Sequence, residues 1–596
     1  MPSGIFVIRA EDSPMESKWS IYYSNTISPA NLKSDYTLYG RLMRVCGIYQ
    51  NRTACEYMGS KMSYASLAKN VNRTAVMWRK LGVSMGDRVL LCMGECPDII
   101  LSVYALDSLG AASVLMIPNS SSEHFEEIAN DSGAKYCLMS FNQYENYAES
   151  IAKTKIKTVI IGKYSDYITG ISKSMFRFYP LSTYDAVVPA FKNRDKAEAK
   201  IVTWREAMTE SENEGEFRPD NNYKRICVML ETDNASDGGV TCAYSAGALN
   251  TSANIAMFLE KESDSRLSRP SRVLCLNEIC FAFGFSVGMN DVLLSGQTLI
   301  IFTWFDAEWT SFPIMRYRPD TIIGYNGTVA RLNENGINRN VMRSVSMIVC
   351  GSGLLTSTQK SALFNKSGKN EDELRICSVT GCDETLAFAY TPKGTTSDRM
   401  IGIPMPGVFM KIADSETGED MPQGRTGEIA VCSPVSCLGL VKDEKTVPGA
   451  LRHLPDGRDW FFTGMIGKMD EKGFFSLISR PGSVYKINSF PVYPTQVDRV
   501  ISMVAGVVDA ASVVVEDVSG PKLVAAVVPA EQLLFDNDLL ADLKQRITDE
   551  CLMVLHEAMC PSKVEFFINL PKDSAGNKDY DALLERLESG RGFAGN

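Results

Sequence analysis

The stretch "MSYASLAKNVNRTAVMWRKLGVSMGDRVLLCM", residues 62–93, holds the clearest helix–strand pattern of the chain. Gly82 stands where a helix in this stretch would end. The apolar run "VLLCM" that follows is typical of a buried strand. The pattern predicts an amphipathic helix that leads into an internal strand, and its apolar side chains recur at helical spacing: Leu67, Val71, Ala75 and Trp78.

The alternation of helix and strand continues on the C-terminal side of this stretch. Repeated alternation predicts parallel sheets with helices on both faces. After residue 401 the texture changes to short strands and turns, and from about residue 481 a separate α/β pattern follows. The segments that carry the alternation are an apolar helix at 96–111 and strands at 112–118, 134–140 and 157–162.

We therefore predict an α/β protein with two domains. Residues 1–479 form a large N-terminal domain of parallel sheets with helices, in which 401–479 is a β-rich subdomain. Residues 480–485, with Gly482-Ser483, are a plausible hinge. Residues 486–596 form a small, mobile α/β domain.

Composition excludes several classes of protein. The chain has 596 residues and a net charge of −10, which argues against a general nucleic-acid binder. No apolar run approaches the ~20 residues of a transmembrane helix, and the N-terminus lacks the pattern of a signal peptide. The 16 cysteines form no C-x-x-C pair, which favours buried free thiols and a cytoplasmic location.

The order of the later segments resembles the adenylate-forming family, which includes acyl-CoA synthetases, luciferases and peptide-synthetase adenylation domains. The resemblance covers roughly residues 35–590. It implies that ATP, with Mg²⁺, activates a carboxylic acid as acyl-AMP, and that the thiol of CoA or of a carrier protein then takes the acyl group. The segments that carry it, besides 62–93, are 402–414, 424–431, 460–501 and 570–583.

The phosphate loop of this family reads T-S-G-x-T-G-x-P-K-G, and its last glycine falls on Gly239 as a nucleotide-binding residue. The family lysine falls on Gly238, and acids stand at Glu231, Asp233 and Asp237. A like charge 4 Å from a phosphate costs about 4 kcal/mol at an effective dielectric of 20. Three interpretations stay open: a phosphate loop with reversed electrostatics, a site for a divalent ion, or a solvated surface turn. Considered by itself, the loop favours the solvated turn.

The segment "CSVTGCDETLAFAY", residues 377–390, resembles the family motif Y-G-x-T-E. Gly381 and Glu384 are retained, whereas Asp383 replaces the threonine that contacts phosphate in the family. The resemblance implies that Gly381 and Asp383 bind nucleotide and that Glu384 holds Mg²⁺ as a catalytic residue. The alternative is that the Asp-Glu pair caps a following helix.

The acyl pocket is predicted around Phe281 and Gly351. Phe281 stands where the family places a histidine or aromatic residue beside the acyl carboxylate. Phe283 and Phe285 are more typical of packed core. The aromatic stretches and the region 163–224 resemble ligases of fatty or aryl acids more than activators of amino acids.

Two motifs of the C-terminal half bear on ribose and catalysis. The family motif T-G-D reads Thr463-Gly464-Met465 here, and a thioether cannot accept both ribose hydroxyls. Arg480 is retained as a nucleotide-binding residue. Asn577 stands at the position of the catalytic lysine, and Lys578, one residue later, is a weak catalytic candidate.

Two hypotheses of different classes follow. The first is an acid–thiol ligase with altered or weakened ATP chemistry, and the second is a catalytically degenerate member that binds an acyl ligand or a partner. The family pattern is kept at structural positions but lost at four ATP-handling positions: Gly238, Asp383, Met465 and Asn577. Binding of ATP distinguishes the two hypotheses.

Overall fold

The structure is a computed structural model, and its helices and strands cover most of the chain. It describes residues 19, 22, 32–118, 120–169, 174, 176–178, 180–210, 218–232, 241–262, 271–302, 311–325, 329, 332, 337–351, 355, 357–395, 400–447, 451–479, 485–487, 490–492, 494–517, 520–534, 536–555, 559–572 and 578–588.

The helices of the described residues are α1 Leu38–Ile48, α2 Tyr64–Lys80, α3 Pro97–Ser108, α4 Ser122–Ser132, α5 Phe141–Ile151, α6 Pro189–Lys192, α7 Trp204–Glu210, α8 Ala246–Glu262, α9 Asp291–Leu294, α10 Ser311–Tyr317, α11 Ser357–Ser367, α12 Pro494–Ser502, α13 Asn537–Val554 and α14 Tyr580–Glu588. A π-helix, Gly284–Asn290, leads into α9. None of these helices combines the length and the apolar character that crossing a bilayer requires.

The strands are β1 Thr53–Tyr57, β2 Ser60–Ser63, β3 Arg88–Cys92, β4 Ala112–Leu115, β5 Tyr136–Met139, β6 Thr158–Ile161, β7 Lys200–Thr203, β8 Ile226–Glu231, β9 Thr241–Ser245, β10 Arg272–Cys275, β11 Thr298–Ile301, β12 Thr321–Tyr325, β13 Met347–Gly351, β14 Arg375–Cys382, β15 Leu386–Tyr390, β16 Met400–Pro404, β17 Phe409–Ala413, β18 Gly427–Cys432, β19 Gly439–Lys442, β20 Lys445–Val447, β21 Leu451–His453, β22 Asp459–Met469, β23 Phe475–Ser479, β24 Tyr485–Ile487, β25 Phe490–Val492, β26 Val507–Asp517, β27 Gly520–Pro529 and β28 Lys563–Phe566.

The stretch 62–93 folds as predicted. The Ser63 side chain accepts a hydrogen bond from the Ser66 N–H and caps α2. Gly82 ends the helix with φ +101°, a conformation that favours glycine, and Val83 donates back to the Trp78 carbonyl at 3.0 Å. The strand β3 follows with four of its five residues buried.

Two sheets form the larger compact unit. One has the order β20-β19-β9-β8-β4-β3-β5-β6-β7, in which β8 to β7 are parallel and β9, β19 and β20 pair antiparallel. In the other, β14, β13, β12, β10, β11 and β1 pair in parallel, β15 pairs antiparallel with β14 and with β16, and β2 pairs antiparallel with β1. Parallel strands bring their carboxyl ends to one edge, where ligands of such sheets bind.

The smaller compact unit contains a second α/β body. Strands β26, β27 and β28 form a sheet whose one face packs on α12 and α13. The other face packs on α14 and on Phe567 and Leu570. The predicted α/β fold with a small C-terminal domain is confirmed in these elements.

The two compact units divide the β-rich segment between them. The larger comprises Met1–Asp398, Gly402–Phe409 and Val431–Phe461, and the smaller comprises Arg399–Ile401, Met410–Ala430 and Phe462–Asn596. The domain boundary at 479 stays a prediction, as does the mobility of the C-terminal domain. Residues 480–484 of the predicted hinge lie outside the described residues.

Candidate active site

Glu231, the first acid of the predicted phosphate loop, lies at the carboxyl end of β8. Glu231 is 6% exposed, and its Oε2 accepts a hydrogen bond of 2.8 Å from the Ile117 N–H. Its Oε1 forms a hydrogen bond and an ion pair with Nε2 of His124. This acid is therefore buried and partnered within the protein rather than a solvated turn residue. Gly239, Gly238, Asp233 and Asp237 lie outside the described residues.

The segment before the π-helix lies against the same strand end. The Glu231 N–H donates to the Cys280 carbonyl at 3.0 Å, and Glu231 forms an isolated parallel bridge with Phe281. This contact joins the two sheets of the larger unit at their carboxyl ends. The predicted acyl-pocket residue Phe281 thus lies beside the start of the predicted phosphate loop.

Gly381, Asp383 and Glu384 occupy the end of β14 and the turn into β15. A Cβ built on Gly381 would lie 2.4 Å from the Leu386 carbonyl oxygen, so the close approach of the two strands requires glycine. The Tyr244 hydroxyl donates to the Asp383 carbonyl. The Cys437 N–H donates to the Glu384 carbonyl at 2.7 Å. No helix follows this turn, so the capping alternative is wrong.

The side chains of this turn suit Mg²⁺, although no group of three His, Cys, Asp or Glu side chains in the described part of the chain could by itself hold a metal ion. Asp383 and Glu384 are partly exposed, and carboxylate oxygens are the ligands that Mg²⁺ prefers. In nucleotide sites one or two carboxylates suffice, because the substrate phosphates supply further ligands. The metal role of Glu384 stays a prediction.

Phe283 packs where the acyl pocket was predicted. A Cβ on Gly351 would lie 2.4 Å from the Phe283 ring, which therefore packs directly on the Gly351 backbone. The Phe283 and Tyr325 rings are 5.8 Å apart, and Tyr325 is the neighbour of Gly351 in the sheet. Sequence reasoning assigned Phe283 to the core, because a run of aromatics gives no indication of which ring faces a pocket.

A cavity of about 90 Å³ lies on the sheet face that Gly351 shares. Strands β10, β12, β13, β14 and β15 form one wall, and α8, the π-helix and α9 form the other. Its lining is mainly apolar, and polar groups stand near the amino ends of the strands. The apolar lining includes Val273, Val287, Ile323, Met347, Val349 and Ala387, and the polar lining includes Ser271, Asp291, Gln297, Thr321 and Arg375.

Two further acids, Glu95 and Glu278, lie at the segment before the π-helix. Glu95 follows β3, and its Oε1 accepts from the Ile279 N–H at 3.0 Å. Burial, with the charge of Glu278, raises the pKa of Glu95 to about 8. No local pattern in the sequence marks Glu95.

Thr463 and Lys578 belong to the smaller unit, where both have structural partners. The Thr463 hydroxyl donates to the Ile429 carbonyl at 2.8 Å and accepts from the Met465 N–H at 3.1 Å. Lys578 Nζ lies 2.7 Å from Asp509 Oδ1. The predicted roles of both residues stay predictions, and Arg480 and Asn577 lie outside the described residues.

Comparison with known proteins identifies the family of this chain. The family model of AMP-binding enzymes matches residues 43–179 and 239–440, more than half of the chain, and the model of their C-terminal domain matches residues 496–577. A long-chain-fatty-acid–CoA ligase of Yersinia pestis is 24% identical over 539 residues, 89% of this chain and 90% of that protein. A ligase of the same name from Bacillus subtilis is 22% identical over 492 residues, 82% and 84% of the two chains.

Solved structures show the same fold. The ATP-bound MatB of Rhodopseudomonas palustris has a TM-score of 0.74 at 20% identity, over 93% of this chain and 99% of that chain. The anthranilate CoA ligase AuaEII, in complex with anthranoyl-AMP, has a TM-score of 0.71 at 17% identity, over 95% and 100%. The predicted resemblance is confirmed, and this chain belongs to the AMP-binding enzyme family of adenylate-forming proteins.

Proposed function

We propose that this protein is an ATP-dependent ligase that activates an apolar carboxylic acid as acyl-AMP and transfers the acyl group to the thiol of CoA or of a carrier protein. The observation that carries the proposal is the apolar cavity of about 90 Å³ on the Gly351 face of the sheet. It lies on the same sheet face as Gly351, the residue beside which the family resemblance places the acyl group.

The path from the strand ends to the cavity follows one face of β13. Met347, Val349 and Gly351 alternate with buried core residues, so all three side-chain positions lie on one face. Four residues of strand span ~13 Å. An aliphatic chain with its carboxyl group near Gly351 would therefore run along β13 into the cavity, past the ring of Phe283.

The residues at the strand ends fit the nucleotide half of the reaction. Glu384 would hold Mg²⁺, which supplies charge neutralisation for the triphosphate. The turn that presents Glu384 is fixed by the backbone contacts of Tyr244 and Cys437. The Phe283 and Tyr325 rings lie 5.8 Å apart beside Gly351, at the strand ends where the carboxyl group of the acid would lie.

The sequence departs from the nucleotide motifs of the family at Gly238, Asp383, Met465 and Asn577, so we propose weaker ATP binding than in typical members. The second candidate is a degenerate member that binds an acyl ligand without turnover. One observation favours it: the amine of Lys578 is paired with Asp509. The two candidates differ in whether ATP is bound at all.

Titration calorimetry with ATP·Mg²⁺, followed by pyrophosphate exchange with straight-chain and aryl acids, tests the proposal. We expect ATP binding and exchange with an aliphatic acid. Absence of both would refute the ligase and leave the degenerate member.

A matched pair of variants tests the acyl site separately. Phe283→Ala removes the ring that packs on Gly351 and should extend activity to longer or bulkier acids. Phe178→Ala makes the same change at a side chain that is 68% exposed and should leave acid preference unchanged. An active enzyme whose preference is the same in both variants would contradict the cavity as the acyl site.

A further inference from the structure

His124 and Glu231 stand together at the start of the phosphate loop, where the family pattern has no acid. We propose that His124 cancels the charge of Glu231 at this site, and that loss of the histidine's proton weakens nucleotide binding. The inference rests on the proposed function and adds a pH dependence to the same site.

The fold makes this pairing necessary. Strands β4 and β8 are parallel neighbours with Leu115 opposite Leu230, so Ile117 and Glu231 emerge side by side at the same edge. The Glu231 carboxylate is buried there and accepts from the Ile117 N–H at 2.8 Å. A buried carboxylate with one neutral donor is unfavourable unless a positive charge compensates it.

His124 is placed to supply that charge. It lies in the first turn of α4, where the Ser121 side chain accepts from the His124 N–H at 3.1 Å and fixes the backbone. Its Nε2 contacts Glu231 Oε1, and its side chain remains 26% exposed, so that it exchanges protons with solvent. The hydrogen bond to Glu231 raises the pKa of His124 above its ordinary value.

The tyrosine and cysteine side chains around the pair stay uncharged near neutral pH. Burial raises the pKa of Tyr147, on α5, to about 12. Burial also raises the pKa of the Cys92 and Cys280 thiols, which therefore stay protonated. Glu127, on α4, adds a negative charge that favours protonated His124.

The sign of the effect follows from these charges. Below the raised pKa of His124 the pair carries no net charge, and above it the pair carries the charge of Glu231 alone. ATP is an anion, so its binding weakens as pH rises through the His124 pKa. In contrast, His124→Gln removes the positive charge and leaves Glu231 uncompensated, and the double variant His124→Gln/Glu231→Gln removes both charges.

Proton NMR titration tests the pair without any ligand. The chain has three histidines, so His124→Gln and His453→Gln assign their resonances directly. We expect His124 to titrate at a higher pH in the wild type than in Glu231→Gln. His453, whose Nδ1 lies 2.8 Å from Asp459 Oδ1 on an exposed hairpin, serves as the control that Glu231→Gln leaves unchanged. Equal His124 titration in both proteins would overturn the proposal, whether or not ATP binds.

Calorimetric titration with ATP·Mg²⁺ across about pH 6 to 9 tests the consequence. We expect wild-type affinity to fall several-fold with rising pH, and His124→Gln to bind weakly without that dependence. The double variant should regain affinity several-fold over His124→Gln, because both charges are gone. A double variant as weak as His124→Gln would show that the histidine acts through packing and would overturn charge compensation. Absence of ATP binding in every protein would refute the proposed function and the pH effect, while the NMR result would still decide the pair.

Discussion

Replacement of Lys578 by alanine distinguishes a catalytic role of this residue from a structural one. In the smaller unit, Lys578 Nζ lies 2.7 Å from Asp509 Oδ1, and it also donates to the Ala510 carbonyl. The two charged side chains are 28% and 35% exposed, so solvent screens the pair and its contribution to stability is about 1 kcal/mol. Lys578→Ala should therefore lower the free energy of unfolding by about that amount.

The effect on catalysis should be larger. If the amine neutralises charge in the first half-reaction, its loss lowers the rate of acyl-AMP formation by about 10²- to 10³-fold. Asp509→Asn keeps the amine but removes its partner, so the same rate should be kept or raised. Thiol transfer from supplied acyl-AMP should continue in both variants.

Pyrophosphate exchange and urea unfolding measure the two effects independently. Lys563→Ala is the matched control, because Lys563 also pairs with an acid, Glu565, in the smaller unit and has no predicted role. Acyl-AMP formation at the wild-type rate in Lys578→Ala, together with a loss of about 1 kcal/mol in stability, would refute the recruitment of Lys578 and make it a structural ion pair.

Three further changes have defined outcomes. Gly381→Ala forces a Cβ to 2.4 Å from the Leu386 carbonyl oxygen and should lower the free energy of unfolding in urea by about 1–3 kcal/mol. The control is Gly47→Ala in α1, whose added Cβ meets nothing within 4 Å and should raise the free energy of unfolding by about 0.5–1 kcal/mol. Equal effects of the two changes would contradict the close approach of the strands at Gly381. Burial raises the pKa of Asp498 to about 7, so the folded state keeps a proton that the unfolded state loses near pH 4. The free energy of unfolding should therefore fall by about 4 kcal/mol as the pH rises from about 4 to about 7. Asp498→Asn should remove this fall, and an unchanged slope in unfolding measured at stepped pH would contradict it. Glu384→Gln should raise the Mg²⁺ concentration needed for ATP binding by calorimetry, and unaltered Mg²⁺ dependence would exclude Glu384 as the ligand.

Local pattern was sufficient for the elements that repeat over many residues. The helix Tyr64–Lys80 and the strand Arg88–Cys92 were predicted, because burial of one helical face and of a whole internal strand leaves a regular spacing in the sequence. The short strand Lys200–Thr203 was not predicted. Only two of its four residues are apolar, and pairing with β6 at the sheet edge, rather than its own pattern, makes it a strand.

The candidate site was predicted only where a family motif marks it. Gly381 and Glu384 were assigned to the candidate site because both retain the motif. The contact of Phe283 with Gly351 was not predicted, because the two residues lie on different strands and helices, and three phenylalanines at alternate positions look alike in sequence. The pairing of His124 with Glu231 was not predicted, since the two residues are 107 positions apart in the sequence.

By itself, the sequence determined the family, the α/β class and the places where the ATP motifs depart from their pattern, because these depend on residue identity and short-range spacing. The tertiary structure alone decided which charges meet. Glu231 belongs to a loop with three acids and no base, so the sequence alone predicts that its charge is unfavourable for phosphate. The pairing of β4 with β8 places Glu231 beside His124 of α4, whose positive charge compensates it. Electrostatic energy depends on distance through space, and burial strengthens it, so a residue over a hundred positions away changes what this carboxylate does.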